Sequence, residues 1–165
     1  MIKESGCDYI ILGHSESRVH GDNDKVINKK IISSLNNNLK VIFCFGETYK
    51  EKKNKNTNRT INKQITLALK NVKNRNNILF AYEPIWSIGT GKILNNSDLE
   101  GCLFYIQKLL KSKFRIKKPK ILYGGSVNSD TVKMFKNINN IDGFLIGSAS
   151  LNVNKFIDII KKTYN

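Results

Sequence analysis

Along the chain, short apolar runs alternate with longer stretches in which apolar residues recur every three or four positions. The runs are Tyr9-Ile10-Ile11-Leu12-Gly13, Val41-Ile42-Phe43-Cys44-Phe45, Ile78 to Tyr82, Ile121-Leu122-Tyr123 and Gly143-Phe144-Leu145-Ile146-Gly147. Unbroken runs of this length predict strands buried on both faces, as in a parallel sheet. Helical periodicity occupies 24–36, 57–73, 97–112, 129–137 and 150–163. Ser97-Asp98-Leu99-Glu100 has the spacing of a capping box at a helix start. Ile2 to Gly6 reads as the tail of a helix, and the Lys/Asn-rich stretch 50–62 as the least ordered segment. Strand and helix in repeated alternation predict an α/β fold, in one domain over 1–165 without a linker.

Every strand ends in a polar or glycine-rich step. The steps are His14-Ser15-Glu16, Gly46-Glu47, Glu83-Pro84, Gly124-Gly125-Ser126 and Gly147-Ser148-Ala149-Ser150. In parallel α/β folds these carboxyl ends share one face, where ligands bind. Glycines permit positive φ and close backbone approach, and the N–H groups opening the next helix favour an anion. Gly124-Gly125-Ser126 and Gly147-Ser148 are each readable as a plain tight turn. As a pair on neighbouring strands they predict a cradle for one phosphate.

His14 tops the first strand near a helix start that favours its neutral form. A neutral imidazole there can donate to a carbonyl gaining negative charge, although a lone histidine is more often structural. His20 reads as a surface residue. Glu16 and Glu47 read as structural hydrogen-bond or ion-pair partners, with Arg18 able to pair with either. Glu83 tops the third strand, and a carboxylate there serves as a general base when water is kept away. Ile85 to Lys92, within the stretch AYEPIWSIGTGK, reads as a lid. Its apolar side chains would cover the site, and the N–H of Gly89 would reach the phosphate. Closure would desolvate Glu83 and raise its basicity. Pro84 stiffens the hinge beside it.

Composition alters this picture little. The 165 residues are 40% apolar, enough for a core. No apolar run reaches the roughly 18 residues of a membrane span, and no signal-peptide core follows Met1. Cys7, Cys44 and Cys102 show neither metal nor disulfide spacing, which favours a reducing compartment, with the cytoplasm as the expectation. A plastid or other organelle stays open if an N-terminal extension is missing. The net charge of +15 would suit a nucleic-acid or acidic-surface binder. However, the lysines are spread over the whole length among asparagines, and no aromatics interleave with the basic run at 50–55. That weighs against nucleic acid and leaves a positive field that speeds the arrival of an anionic substrate.

These residues resemble the triosephosphate isomerase family over essentially the whole chain. The matching motifs are Ile11-Leu12-Gly13-His14-Ser15-Glu16, Cys44-Phe45-Gly46-Glu47, Ala81 to Lys92, Leu122-Tyr123-Gly124-Gly125-Ser126-Val127 and Asp142-Gly143-Phe144-Leu145-Ile146-Gly147. The resemblance implies a (β/α)8 barrel, here a partial barrel of five parallel strands. It implies interconversion of dihydroxyacetone phosphate and glyceraldehyde 3-phosphate through an enediolate. In that reading Glu83 is the base and His14 the electrophile. Gly89, Ser126, Gly147 and Ser148 hold the phosphate, supported by Ser15, Glu16, Gly124 and Gly125, and no metal or organic cofactor is required.

Some of the family pattern is absent. The first three βα units have no counterpart, including an asparagine and a lysine that contact substrate and the loop that packs into the partner of the usual homodimer. Barrels of this type run to about 250 residues, so this chain is short by around a third. Its start in mid-pattern would fit an upstream exon left out of the gene model. Ser17 stands where an arginine is usual, and Ser148 where the second phosphate glycine is usual. Five strands cannot close a barrel, which predicts exposed sheet edges, poor stability and little activity for the chain alone. The alternative is a non-catalytic remnant that binds a partner or nucleic acid through its basic surface. A different phosphate-binding barrel enzyme is disfavoured by the Glu83-Pro84-Ile85-Trp86 lid.

Overall fold

A computed structural model describes residues 2–164. Five strands form one parallel sheet in chain order: β1 (Tyr9–Leu12), β2 (Lys40–Phe45), β3 (Ile78–Tyr82), β4 (Lys120–Tyr123) and β5 (Gly143–Phe144). Six helices in the crossovers and one after β5 make seven among the described residues. These are α1 (Ser15–Val19), α2 (Asp24–Asn36), α3 (Tyr49–Lys53), α4 (Thr57–Ala68), α5 (Asn96–Ser112), α6 (Ser129–Phe135) and α7 (Val153–Tyr164). The sheet is open, because β1 pairs only with β2 and β5 only with β4. This is the α/β class that the alternating pattern predicts, as an incomplete barrel.

Register divides the sheet into two unlike faces. Leu12, Phe43, Phe80 and Ile121 lie side by side on one face, and Phe45, Tyr82, Tyr123 and Phe144 form the next row. That face packs against Ile27 and Ile31 of α2, Ile61 and Ile65 of α4, and Leu99, Leu103 and Ile106 of α5. Burial there is essentially complete except at half-buried Phe144, and removal of this apolar area from water is the main stabilising term. The other face carries the row Ile11, Ile42, Leu79. Ile42 and Leu79 are half-buried and Ile11 is exposed. The expectation of strands buried on both faces therefore fails on this side, since no strands stand across the interior to cover it.

Local chemistry corrects other expectations. The capping box at Ser97 does not form. Asn95 is the cap, its side chain accepting from the Asp98 N–H at 2.7 Å, so the helix opens one residue before Ser97. Residues 2–6 are turns rather than a helix tail. The stretch 50–62 is ordered: Thr48 and Glu51 form a capping box that starts α3, and Glu51 also accepts from Thr60 of α4 at 3.0 Å. The helix expected over 57–73 stops at Ala68, and Asn71 turns the chain at φ 59°. The helix over 129–137 ends at Phe135. The segment 150–163 divides into a 3-10 turn at Ser148–Leu151 and α7, separated by extended Asn152, whose side chain caps α7 at Lys155 N. The fifth strand holds only two paired residues, because nothing flanks it on its outer side.

Candidate active site

Glu83 directly follows β3, and its environment is made by its neighbours on adjacent strands. Continued register sets Gly46 on one side and Gly124 on the other. A Cβ at Gly46 would lie 1.9 Å from the Glu83 carbonyl oxygen, and one at Gly124 would lie 2.8 Å from Glu83 Cγ. Gly46 thus makes room for the Glu83 backbone and Gly124 for its side chain. Glu83 is 3% exposed. Loss of hydration pushes its carboxyl up to about 8, against the opposing pull of a hydrogen bond from the Cys44 thiol and of the Arg18 charge. A carboxylate kept this basic at a strand end is suited to take a proton from carbon.

His14 faces it. Nδ1 of His14 accepts the Glu16 N–H at 3.4 Å as the cap of α1, which leaves the ring proton on Nε2. Nε2 stands 3.7 Å from Glu83 Oε1. A base and an N–H donor from strands two places apart therefore meet over one cavity. Arg18 does not pair with Glu16 or Glu47 as expected. It binds Asp24 at 2.7 Å and donates to the carbonyls of Gly13 and Cys44 at 2.7 and 3.3 Å. Its work is to tie the ends of β1 and β2 together.

The cavity measures about 380 Å³. Ile11, His14, Glu16 and Glu83 line it, together with the lid residues Ile88 and Gly89. Gly124, Gly125, Ser126, Gly147 and Ser148 complete the wall, whereas Ser15 does not reach it. Gly124 and Gly125 serve close approach rather than positive φ: a Cβ on Gly125 would lie 2.3 Å from the Tyr123 hydroxyl. The two glycine steps differ in their donors. The N–H groups of Gly89, Gly147 and Ser148 find no acceptor among the described residues. That of Ser126 is already bonded to Ser87 Oγ at 3.1 Å. The helix after Gly124-Gly125-Ser126 starts at Ser129, where the periodicity places it, behind its own Asn128 cap.

The lid is held at its root. Trp86 Nε1 donates to Glu47 Oε1 at 2.8 Å, and Tyr82 donates to Glu47 Oε2 at 3.1 Å. Lys52 Nζ lies 3.7 Å above the Trp86 ring. Burial raises the Glu47 carboxyl, opposed chiefly by the Trp86 hydrogen bond. Ser87 Oγ donates to the Lys92 carbonyl at 2.5 Å. Beyond this anchor Gly89 and Gly91 take left-handed φ of 68° and 72°, and both are exposed.

Cys44 and Ser87 are the contributors that the sequence reading does not assign. Cys44 shares the interior-facing row with Ala81, one step below Glu83, so strand register was the signal that could have found it. Ser87 offered none, since its hydroxyl meets the Lys92 carbonyl and the Ser126 N–H from loops and the Tyr123 hydroxyl from β4, which no local pattern brings together. His20 is exposed, as read. Among the described residues no group of three His, Cys, Asp or Glu side chains could hold a metal ion, and no helix is long and apolar enough to cross a membrane.

Comparison with known proteins follows this geometry. The family model for triosephosphate isomerase matches residues 1–163. A protein of Thermodesulfovibrio yellowstonii named triosephosphate isomerase is 39% identical over 164 residues, covering 98% of this chain and 67% of its own length. Proteins of that name from Borrelia hermsii and Saccharomyces cerevisiae are each 41% identical, covering 98% and 96% of this chain and 66% and 65% of their own. The chain thus spans about two thirds of the length of these relatives and matches their C-terminal part.

Proposed function

The chain belongs to the triosephosphate isomerase family, and on that premise we propose that it interconverts dihydroxyacetone phosphate and glyceraldehyde 3-phosphate. The carrying observation is the buried, basic Glu83 carboxylate 3.7 Å from the N–H edge of His14 in one cavity. In this reading Glu83 takes a proton from the carbon beside the substrate carbonyl, and His14 Nε2–H donates to the oxygen as it becomes negative. The hydroxyl proton passes to the former carbonyl oxygen by way of His14, and the neighbouring carbon recovers a proton from Glu83, so the step is redox-neutral and needs no co-reactant.

The free N–H groups of Gly89, Gly147 and Ser148 take the phosphate. Ser126 joins them only when Ser87 lets go of its N–H, so phosphate binding and lid position are coupled. Ser15 and Glu16 support His14 from α1, and Gly124 and Gly125 keep the floor clear for Glu83. We place the whole of 1–165 in one partial-barrel domain. A reducing compartment, the cytoplasm, suits three free cysteines of which Cys7 is exposed.

The 165-residue chain by itself should turn over slowly, because its sheet edges are open and the family's substrate-contacting lysine has no counterpart in it. A coupled assay of glyceraldehyde 3-phosphate conversion tests this. Weak turnover that disappears in Glu83→Gln supports the proposal, and turnover unchanged by Glu83→Gln refutes it.

A further inference from the structure

We propose that the opposite, amino-end face of the sheet carries a second anion site, which takes an oligophosphate chain. A cavity of about 560 Å³ opens there between the segment before β3 and the segment before β4. Five cationic side chains line it: Arg75, Arg115, Lys117, Lys118 and Lys120. It lies at the other ends of the strands from Glu83 and stands independently of the isomerase reading.

The cations are held on a fixed scaffold. Ile116 and Pro119 are buried, and Ile116 N bonds to the Leu110 carbonyl at 3.1 Å. Arg115 turns the backbone at φ 55°. Apolar anchors inside this segment therefore leave the basic side chains outside. Arg75 comes from the other segment and is half-buried. One of its terminal nitrogens reaches the Phe114 carbonyl at 3.4 Å, and its buried Nε has no partner among the described residues. The guanidinium lines the cavity while its Nε is shielded from solvent, so its terminal N–H groups are what it offers an oxyanion.

Charge balance points the same way. The one carboxylate paired with the cluster among the described residues is Asp142, on Lys120 at 2.7 Å. Arg115, Lys117 and Lys118 take part in no ion pair among those residues. Four uncompensated cations around one cavity repel each other, and a single phosphate would neutralise at most half of them. A chain of two or three phosphates matches both the charge and the volume, which falls in the usual range for small-molecule sites. No aromatic ring lines the cavity, and the nearby Phe114 ring already has Arg75 and Lys113 against it. The phosphates, rather than a stacked base, are what this surface reads, so inorganic pyrophosphate, triphosphate and the tail of a nucleotide are equivalent ligands.

Calorimetric titration of the full chain with pyrophosphate and triphosphate at low salt tests the site. Arg115→Gln/Lys118→Gln removes two exposed cations, and circular dichroism checks that the fold is kept. Loss of two charge-assisted hydrogen bonds should raise Kd about tenfold or more. The control pair Lys25→Gln/Lys29→Gln, with the same charge change on α2, should alter Kd less than about twofold. Absence of binding, or equal weakening in both pairs, would overturn the proposal. So would single-stranded RNA binding that needs Arg115 and Lys118 while pyrophosphate does not bind, which would assign the surface to nucleic acid.

Discussion

The middle of the sheet and its two edges follow different rules. In β2, β3 and β4 the helix-facing side chains are fully buried, with Val41, Phe43, Phe80 and Ile121 at 0% exposure. On the uncovered face of β1, Tyr9 and Ile11 are 45% and 49% exposed, and beyond β5 the helix α7 leaves Phe156, Ile157 and Ile160 open to solvent. The candidate site straddles this divide. Glu83 rides on the central strand, His14 on one edge, and Gly147 and Ser148 on the other. Burial therefore sets the acid's chemistry in the complete part of the molecule, while its partners depend on the least supported strands. The open sheet thus leaves Glu83 buried and basic while its partners stand on the two edges.

Core deletions should break the comparison most sharply. Phe80→Ala should cost about 3–5 kcal/mol and Ile11→Ala under about 1 kcal/mol, measured by urea unfolding. Such a loss at Phe80 is a large share of a small domain's total stability. Equal costs at the two positions would mean that the uncovered face at the edge is as well packed as the helix-covered face at the centre.

Next in size is the pH dependence carried by Glu83. Its folded carboxyl is raised from 4.5 to about 8. Between those values the folded state holds a proton that the unfolded state has lost. Stability from this group is thus fully present below 4.5 and declines as pH rises through about 8. Glu83→Gln should remove that decline, and the difference between the two pH–stability curves isolates it. Isomerase kcat/KM should move the other way, rising as the carboxyl ionises.

A smaller effect is expected at Cys44. Its thiol hydrogen bond lowers the Glu83 carboxyl, so Cys44→Ala should shift the Glu83 titration upward. Carboxyl NMR of the two proteins would read the shift, and a downward movement would contradict it. Hydrogen exchange would sharpen the contrast further. Amides of β1 and β5 should exchange through low-energy openings, whereas those of β2 and β3 should wait for global unfolding.

Much of this was legible in the chain. An acid, an imidazole and two glycine pairs at strand ends are punctuation that parallel topology gathers on one face, whatever the strand lengths. Periodicity, in contrast, could not show that the Ile11–Ile42–Leu79 row lacks a layer opposite, because that depends on strands far away or absent. Nor could it show that Ser126 donates to Ser87 or that Arg18 chooses Asp24, since such pairs are settled by loop geometry. Asn95 displaced Ser97 as a helix cap for a local reason: both are good capping residues, and only the backbone path selects between them.

The central claim is that Glu83 and His14 form an isomerase site whose alignment awaits closure of the sheet edges. The most direct measurement adds a polypeptide comprising the first third of the Thermodesulfovibrio yellowstonii relative and follows isomerase turnover. The account predicts that a one-to-one complex forms, that turnover rises well above that of the chain alone, and that Glu83→Gln lowers it by about a thousandfold. A one-to-one complex without turnover, or turnover indifferent to Glu83→Gln, would contradict it.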